Sequence, residues 1–144
     1  MIALPELLRE RGLRVTSQRV VIHDALVAAG RHLTAEQVRD AVRDRLPGVS
    51  LPTVYSTLEL LEELGLIRRV HTPSALLFDP RPDEHAHALC RRCGRVEDLD
   101  AHVHPRAALR VAAAAGWTTA SAETLLVGLC PECAGRGRDG AAEG

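Results

Sequence analysis

The cysteines are the residues whose spacing most clearly indicates chemistry in this 144-residue chain. All four occur as two Cys-x-x-Cys pairs, Cys90 with Cys93 and Cys130 with Cys133, separated by residues 94–129. Four thiolates in paired spacing are typical of a tetrahedral zinc site that holds a fold together. Inert thiols or a redox-active pair are the alternatives, but the presence of both pairs favours structural zinc. The segment between the pairs must then fold back on itself to bring them together.

A second group of metal-binding residue types surrounds the first cysteine pair. His85 and His87 alternate by two, so on a strand they point to the same face. Asp79 precedes them, Asp98 follows the cysteines, and His32 lies at the end of a predicted helix. Imidazole and carboxylate ligands suit Fe²⁺, Mn²⁺, Ni²⁺ or Zn²⁺, and they release an ion more readily than four thiolates do. The alternative is an ordinary exposed His-x-His pair on a strand.

Composition limits the classes of protein that fit. Hydrophobic residues make up 46% of the chain and aromatic residues only 2%, so the core must be aliphatic and the fold rich in helix. The net charge of −1 gives no overall attraction for nucleic acid, and lysine is absent, so any phosphate contact would come from arginine. There is no signal-peptide pattern and no apolar run of the ~20 residues that a membrane span needs. We therefore expect a cytoplasmic protein with reduced thiols.

Helical periodicity and capping residues predict short helices in the first half of the chain. Thr16 and Ser50 are expected N-caps, and Thr34 with Gln37 forms a capping-box pattern. Two short apolar runs follow the last of these helices, with a turn at residues 72–74 between them, and they predict a β-hairpin. Helices followed by a hairpin form a winged helix-turn-helix. The helix that begins after Ser50 would be its recognition helix.

The second half is predicted to be a smaller unit of mixed helix and strand. Residues 80–84 are rich in proline and charge and are typical of a linker. Beyond them we expect strands over 86–90 and 95–99, a helix over 105–115 and a long strand over 117–129. The fold class is therefore α+β, with a winged-helix DNA-binding domain over 1–79 and a hinge over 80–84. An α/β domain that carries the cysteines covers 85–134, and a disordered tail covers 135–144.

The chain resembles the ferric uptake regulator (Fur) family of metal-dependent bacterial repressors, from about residue 4 to residue 133. Taken together, the motifs that carry the resemblance are highly specific. They are Arg14-Val15-Thr16-Ser17-Gln18-Arg19, His32-Leu33-Thr34-Ala35-Glu36, Thr53-Val54-Tyr55-Ser56-Thr57-Leu58, His85-Ala86-His87-Ala88-Leu89-Cys90-Arg91-Arg92-Cys93-Gly94 and Gly128-Leu129-Cys130-Pro131-Glu132-Cys133.

This resemblance implies that the α/β domain over 85–134 is a dimerisation and metal-binding domain, and it implies roles for both groups of metal ligands. The four cysteines would hold structural zinc, and His32, Asp79, His85, His87 and Asp98 would bind a regulatory metal. Iron-uptake members commonly have Glu at the first carboxylate position, whereas the peroxide-sensing PerR branch has Asp at both, as this chain does. In that branch, bound Fe²⁺ reacts with peroxide and oxidises a ligand histidine, by resemblance His32 or His85. Mn²⁺ can occupy the same ligands without that chemistry.

The function predicted from the resemblance is that of a homodimeric repressor, not an enzyme, which binds a palindromic double-stranded DNA operator when metal is bound. Apart from the metal ion and peroxide, no small-molecule substrate is expected, and neither is a membrane. DNA contacts are predicted from the recognition helix, the start of the second helix and the wing. The candidates are Arg14, Arg19, Ser50, Thr53, Tyr55, Ser56, Thr57, Arg68 and Arg69.

Three alternatives stay open at the level of sequence. The first is a repressor of iron, manganese, nickel or zinc uptake that has no peroxide chemistry. The second is a metal-dependent hydrolase that uses His85, His87 and a carboxylate around a bound water, although no separate general base is evident. The third is a zinc-stabilised protein-interaction module that never contacts DNA.

Overall fold

Six helices and five strands occur in the computed structural model, which describes residues 3–100, 104–119 and 122–139. In chain order they are α1 (Leu4–Glu10), α2 (Ser17–Ala29), α3 (Ala35–Val42), α4 (Leu51–Glu63), β1 (Arg68–His71), β2 (Leu76–Asp79), β3 (Ala86–Cys90), β4 (Val96–Leu99), α5 (Arg106–Ala114), β5 (Leu125–Gly128) and α6 (Pro131–Asp139). They fall into two compact units, the first ending at Pro82 and the second beginning at Asp83. Within the described part of the chain, no helix has both the length and the apolar character needed to cross a bilayer.

Local capping explains where the helices of the first unit begin. The hydroxyls of Thr16 and Ser50 each accept a hydrogen bond from the backbone N–H three residues further on. Thr34 forms a complete capping box, because its hydroxyl accepts from the Gln37 N–H while its own N–H donates to the Gln37 side chain. Gly30 ends α2 in the left-handed conformation, with φ of 60°. The N-caps at Thr16, Thr34 and Ser50 were predicted from the sequence and are confirmed.

The first unit is built around one aliphatic core. Helices α2, α3 and α4 pack against one another, and α1 and the β1–β2 hairpin complete the enclosure. The fully buried side chains include Leu8, Ile22, Leu26, Leu33, Val38, Val42, Val54, Leu58, Leu61, Ile67 and Phe78. Helices followed by a two-stranded hairpin form the predicted winged helix, with α4 in the place of the recognition helix.

A short bridge joins the segment before α3 to the wing. Strands β1 and β2 pair antiparallel, with Arg69 opposite Phe78. On its other side Phe78 pairs with Leu33: the Leu33 N–H donates to the Phe78 carbonyl at 3.1 Å, and the Phe78 N–H donates back at 2.8 Å. This exchange fixes the backbone next to His32 against the backbone next to Asp79.

The second unit contains a three-stranded sheet in the order β4-β3-β5. Strands β3 and β4 pair antiparallel, which places His87 opposite Asp98. Strands β3 and β5 pair in parallel, which places Cys90 opposite Gly128. One register therefore aligns the histidines with a carboxylate, and the other brings the first cysteine pair close to the second.

Two predictions for the second unit are wrong. The strand expected over 117–129 covers only Leu125–Gly128, because residues 117–119 and 122–124 form no ladder. The tail expected to be disordered from residue 135 is helical as far as Asp139, since α6 continues past Cys133; residues 140–144 lie outside the described part. Helix α5 was expected and is present, but none of its residues is buried.

Candidate metal centres and nucleic-acid interface

The four cysteines converge in the second unit. Their sulfur atoms all lie within 4.8 Å of one another, and no disulfide joins them. The Cys93 and Cys130 sulfurs are 3.9 Å apart. A tetrahedral zinc ion with Zn–S bonds of about 2.3 Å separates its sulfurs by roughly 3.8 Å. Four thiols at that separation fit a closed structural zinc site, as the spacing in the sequence predicted.

The parallel pairing of β3 with β5 explains how cysteines so far apart in the chain meet. Cys90 ends β3, and the turn that follows returns the Gly94 N–H to the Cys90 carbonyl at 2.9 Å. The Arg91 N–H extends the parallel ladder by donating to the Gly128 carbonyl at 2.8 Å. The Arg92 guanidinium then donates to the Cys133 carbonyl at 3.2 Å, which holds the start of α6 against the turn.

The thiols of this cluster differ in acidity. Backbone N–H groups of Cys130 and Cys93 donate to the Cys90 sulfur and lower the pKa of that thiol to about 5. The side-chain hydrogen bond with Cys130, followed by burial, raises the pKa of Cys133 to about 12. Cys90 therefore loses its proton more readily than Cys133 does. A divalent ion must displace such protons, so zinc binding strengthens as pH rises.

In the first unit, His32 and Asp79 form a histidine–carboxylate pair. His32 Nε2 lies 3.2 Å from Asp79 Oδ2, with the Asp79 side chain 1% exposed and the His32 side chain 9% exposed. The Leu33–Phe78 bridge produces this pair, because each of the two residues is the chain neighbour of one bridge partner. The other carboxylate oxygen, Asp79 Oδ1, accepts a hydrogen bond from the Arg81 N–H at 2.9 Å. Asp79 Oδ2 and His32 Nε2 are together a nitrogen and oxygen donor pair that suits a metal ion.

The second unit holds the remaining three predicted ligands together. His85 Nε2 lies 2.9 Å from Asp98 Oδ1, and His87 Nε2 lies 3.2 Å from the same oxygen. The two imidazole rings are adjacent, with their centroids 4.4 Å apart. This arrangement follows from the sheet, since His87 in β3 is opposite Asp98 on β4. His85 directly precedes β3 and is two residues from His87, so extended backbone places both imidazoles on one side.

These distances fit a metal ion with nitrogen and oxygen ligands. Neighbouring ligands around an ion with bonds of about 2.1 Å lie roughly 3.0 to 3.4 Å apart. Two Nε2 atoms converging on one carboxylate oxygen reproduce that spacing. An ion that binds here would replace any proton shared between an imidazole Nε2 and this oxygen.

Asp83 also contacts this cluster, a role that was not predicted from the sequence. His85 Nδ1 lies 2.7 Å from the main-chain carbonyl of Asp83. An Nδ1–H that donates to this carbonyl leaves the Nε2 lone pair for a metal and fixes the ring orientation. No residue type signals such a contact, because the acceptor is a main-chain oxygen.

The residues predicted to contact DNA differ in their solvent exposure. Arg14, Ser50 and Ser56 are exposed, and Arg19, Thr53, Tyr55, Arg68 and Arg69 are partly exposed. Thr57 is buried, with only 7% of its surface accessible, so its prediction as a DNA contact is wrong. The reason is helical geometry: three residues after Val54, Thr57 lies on the face of α4 that packs into the core.

Several of these side chains already have partners within the first unit. The Ser56 hydroxyl donates to the Thr53 carbonyl at 3.1 Å. The Arg19 guanidinium donates to the Arg14 carbonyl at 2.6 Å, which links the start of α2 to the preceding turn. The Arg69 Nε donates to Glu62 Oε2 at 2.8 Å. DNA would therefore meet a preorganised surface at α2 and the wing.

Comparison with known proteins supplies the family context. The model of the ferric uptake regulator family matches residues 10–126. The transcriptional regulator FurA of Mycobacterium tuberculosis is 38% identical over 130 residues, covering 89% of this chain and 88% of FurA. The peroxide operon regulator of Bacillus subtilis is 30% identical over 129 residues, covering 89% of each chain. The solved structure of a zinc uptake regulator complexed with zinc and DNA has a TM-score of 0.72 and 25% identity, covering 92% of this chain and 91% of that one.

Proposed function

The chain belongs to the ferric uptake regulator family of metal-dependent transcriptional regulators, and we propose that it is a repressor that senses peroxide through Fe²⁺ or Mn²⁺. The regulatory metal would be bound by His32, Asp79, His85, His87 and Asp98. The observation that carries the proposal is that these five residues form two preorganised donor groups of imidazole and carboxylate, one within each unit. They differ in kind from the four thiols, which suit permanently bound zinc.

One metal that takes ligands from both units would make DNA binding conditional on metal. The first unit supplies two donor residues and the second supplies three, so neither group alone completes the six-coordinate shell typical of an ion with nitrogen and oxygen ligands. A shared ion would tie the two units together across residues 80–84. Operator affinity would then depend on metal occupancy, which is the linkage that a metal-dependent repressor requires.

The peroxide-sensing branch is favoured by the carboxylates and by a relative. Both carboxylate positions, 79 and 98, hold Asp, and the Bacillus subtilis relative is named as a peroxide operon regulator. Bound Fe²⁺ would supply the reducing electrons for peroxide. His32 and His85 are the side chains that would receive an oxygen atom. An oxidised imidazole would bind the metal more weakly.

Double-stranded DNA is the proposed partner of the winged helix, in the cytoplasm. Helix α4 would enter the major groove with its N-terminal residues toward the base edges, and Arg68 in β1 would contact phosphate. The second unit would form a homodimer, because Trp117, Leu126 and Val127 leave large apolar surfaces exposed. A two-fold dimer implies a palindromic operator.

Substitution of one regulatory ligand tests the repressor function. The probe is a duplex selected from a randomised library by the wild-type protein with Mn²⁺. We expect His87→Ala to lose metal-dependent binding of this duplex while remaining folded and zinc-loaded, and His104→Ala, an exposed histidine of the same unit, to behave as wild type. The proposal fails if no duplex is selected, or if His87→Ala keeps the full metal dependence.

Mass spectrometry tests the choice of branch. The protein is loaded anaerobically with Fe²⁺, treated with hydrogen peroxide and digested, and a Mn²⁺-loaded sample serves as the control. We expect one added oxygen atom on the peptide that contains His32 or on the one that contains His85, only in the Fe²⁺ sample. Unmodified histidines combined with metal-dependent DNA binding would instead assign the protein to the metal-uptake repressors.

A further inference from the structure

Two of the few aromatic side chains of this protein contact each other next to a proposed metal-binding pair. The chain has one Phe, one Tyr and one Trp. Phe78 and Tyr55 meet edge to face, with their ring centroids 6.4 Å apart and their planes 66° apart. Phe78 is fully buried, while Tyr55 lies on α4 and is partly exposed. In this aliphatic core the two rigid rings constrain each other's position.

The backbone of Phe78 is fixed to the His32–Asp79 pair. Phe78 directly precedes Asp79, and its N–H and carbonyl exchange two hydrogen bonds with Leu33, which directly follows His32. The two ligand side chains therefore extend from adjacent points of one small bridge. A backbone adjustment that brings His32 or Asp79 into the shell of an ion would therefore also move the backbone that carries the Phe78 ring.

Two sets of contacts connect the side chain of Phe78 to α4. The first is the direct contact with Tyr55 in the second turn of the helix. The second passes through Arg69, whose guanidinium carbon lies 5.6 Å from the centre of the Phe78 ring and whose Nε donates to Glu62 at 2.8 Å. Tyr55 and Glu62 are seven residues apart, so they lie on one side of α4 two turns from each other.

We propose that Phe78 is a positioning residue that transmits metal binding at His32 and Asp79 to the recognition helix α4, an inference that rests on the proposed repressor function. Metal binding shifts the bridge by a fraction of an ångström, and the buried ring transfers this shift to Tyr55 and Arg69. A close-packed interior transmits such displacements because it contains little free space. Coupling within the first unit then adds to any effect of joining the two units.

The single tyrosine allows the response of α4 to metal binding to be measured directly. Protein labelled with 3-fluorotyrosine has one ¹⁹F resonance, that of Tyr55, which can be followed in the zinc-loaded protein while a second equivalent of diamagnetic Zn²⁺ is added. We expect the resonance of the wild-type protein to shift with metal. In Phe78→Leu, which removes the ring but keeps an apolar side chain, the shift should be lost. The control Ile22→Val trims a fully buried side chain of the same core and should keep it.

Binding of the selected DNA duplex supplies the second readout. We expect the wild type to bind it at least about tenfold more tightly with Mn²⁺ than without, and the ratio in Phe78→Leu to fall below about threefold while Mn²⁺ affinity is retained. If Phe78→Leu folds poorly, Arg69→Met breaks the second set of contacts without touching the ring and should lower the ratio to an intermediate value.

The outcomes separate this inference from the proposed function. A wild type without metal-dependent DNA binding overturns the repressor function and the inference with it. A wild type that shows metal dependence but no ¹⁹F shift overturns the inference alone. The inference is also overturned if Phe78→Leu, or Arg69→Met used in its place, keeps the full ratio of DNA affinity with Mn²⁺ to DNA affinity without it.

Discussion

The two units of this protein are stabilised in different ways. The first buries many large aliphatic side chains, among them Leu8, Leu26, Leu58 and Leu61, in a single core. In the second, the buried residues among those described are Ala86, His87, Leu89, Cys90 and Cys133, and α5 contributes none. We therefore expect the winged helix to fold by apolar burial, and the sheet of the second unit to depend on zinc at its cysteines and on contacts with a second copy.

Loss of a zinc ligand should produce the largest effect. Structural zinc contributes about 10–16 kcal/mol in small zinc-dependent folds at neutral pH, more than the whole stability of a typical domain. We expect Cys90→Ser to lose zinc and to unfold the second unit while the helical signal of the first unit survives. Circular dichroism and hydrogen exchange measure this, with Ala88→Ser on the same strand as the control. A zinc-free Cys90→Ser protein with an intact sheet would remove the structural role of the metal.

A cavity in the core of the first unit should have the second-largest effect on stability. Leu58 is fully buried in α4, and a buried Leu→Ala substitution costs about 2–5 kcal/mol. Leu58→Ala should therefore lower the midpoint of denaturant unfolding of the winged helix but leave the zinc content unchanged. Parallel loss of zinc would show that the two units unfold as one, which contradicts the difference in their stabilisation.

The exposed apolar sheet edge gives a smaller effect, on assembly. Leu126 is 54% exposed and Val27, on α2, is 52% exposed. We expect Leu126→Asp to weaken the homodimer by at least about tenfold, or roughly 1.4 kcal/mol, because a charge would be buried at a two-fold interface. Val27→Asp should leave the dimer unchanged. Analytical ultracentrifugation compares them, and equal behaviour of the two variants would place the dimer interface elsewhere.

The smallest effect concerns a helix cap. Thr34 closes the capping box of α3, and its replacement by Ala should cost about 1 kcal/mol. Thr34→Ser keeps a hydroxyl at the cap and should lie close to the wild type in thermal unfolding. A lower thermal stability of Thr34→Ala than of Thr34→Ser would show that the first unit is stabilised locally as well as by its core. Equal stabilities would show that the cap does not contribute to stability.

Features with a local cause could be predicted from the sequence. Thr16, Thr34 and Ser50 cap helices through atoms within three residues, so residue type and spacing were sufficient. The two cysteine pairs indicated a common site, because four thiols with this spacing have few other uses. The fold class and the winged helix followed from the order of the elements and from the family resemblance.

Features that depend on distant contacts could not be predicted. The side of α4 that buries Thr57 is set by its packing on other helices, and polarity alone favoured exposure. The contact of His85 with the Asp83 carbonyl involves a main-chain atom that has no signature in the sequence. The Phe78–Tyr55 contact joins residues of two elements whose spacing in the chain says nothing about proximity. The helix beyond Cys133 was hidden by a composition rich in glycine and charge.

We expect this protein to hold one metal ion permanently and to exchange another. The decisive measurement is the metal content of the purified protein after dialysis against EDTA, determined by mass spectrometry together with circular dichroism and DNA binding. About one zinc ion per chain should remain, the fold should be intact, and DNA binding should be lost until Mn²⁺ or Fe²⁺ is added. Loss of all metal from a protein that stays folded, or full DNA binding after EDTA, would show that the two metals do not have these separate roles.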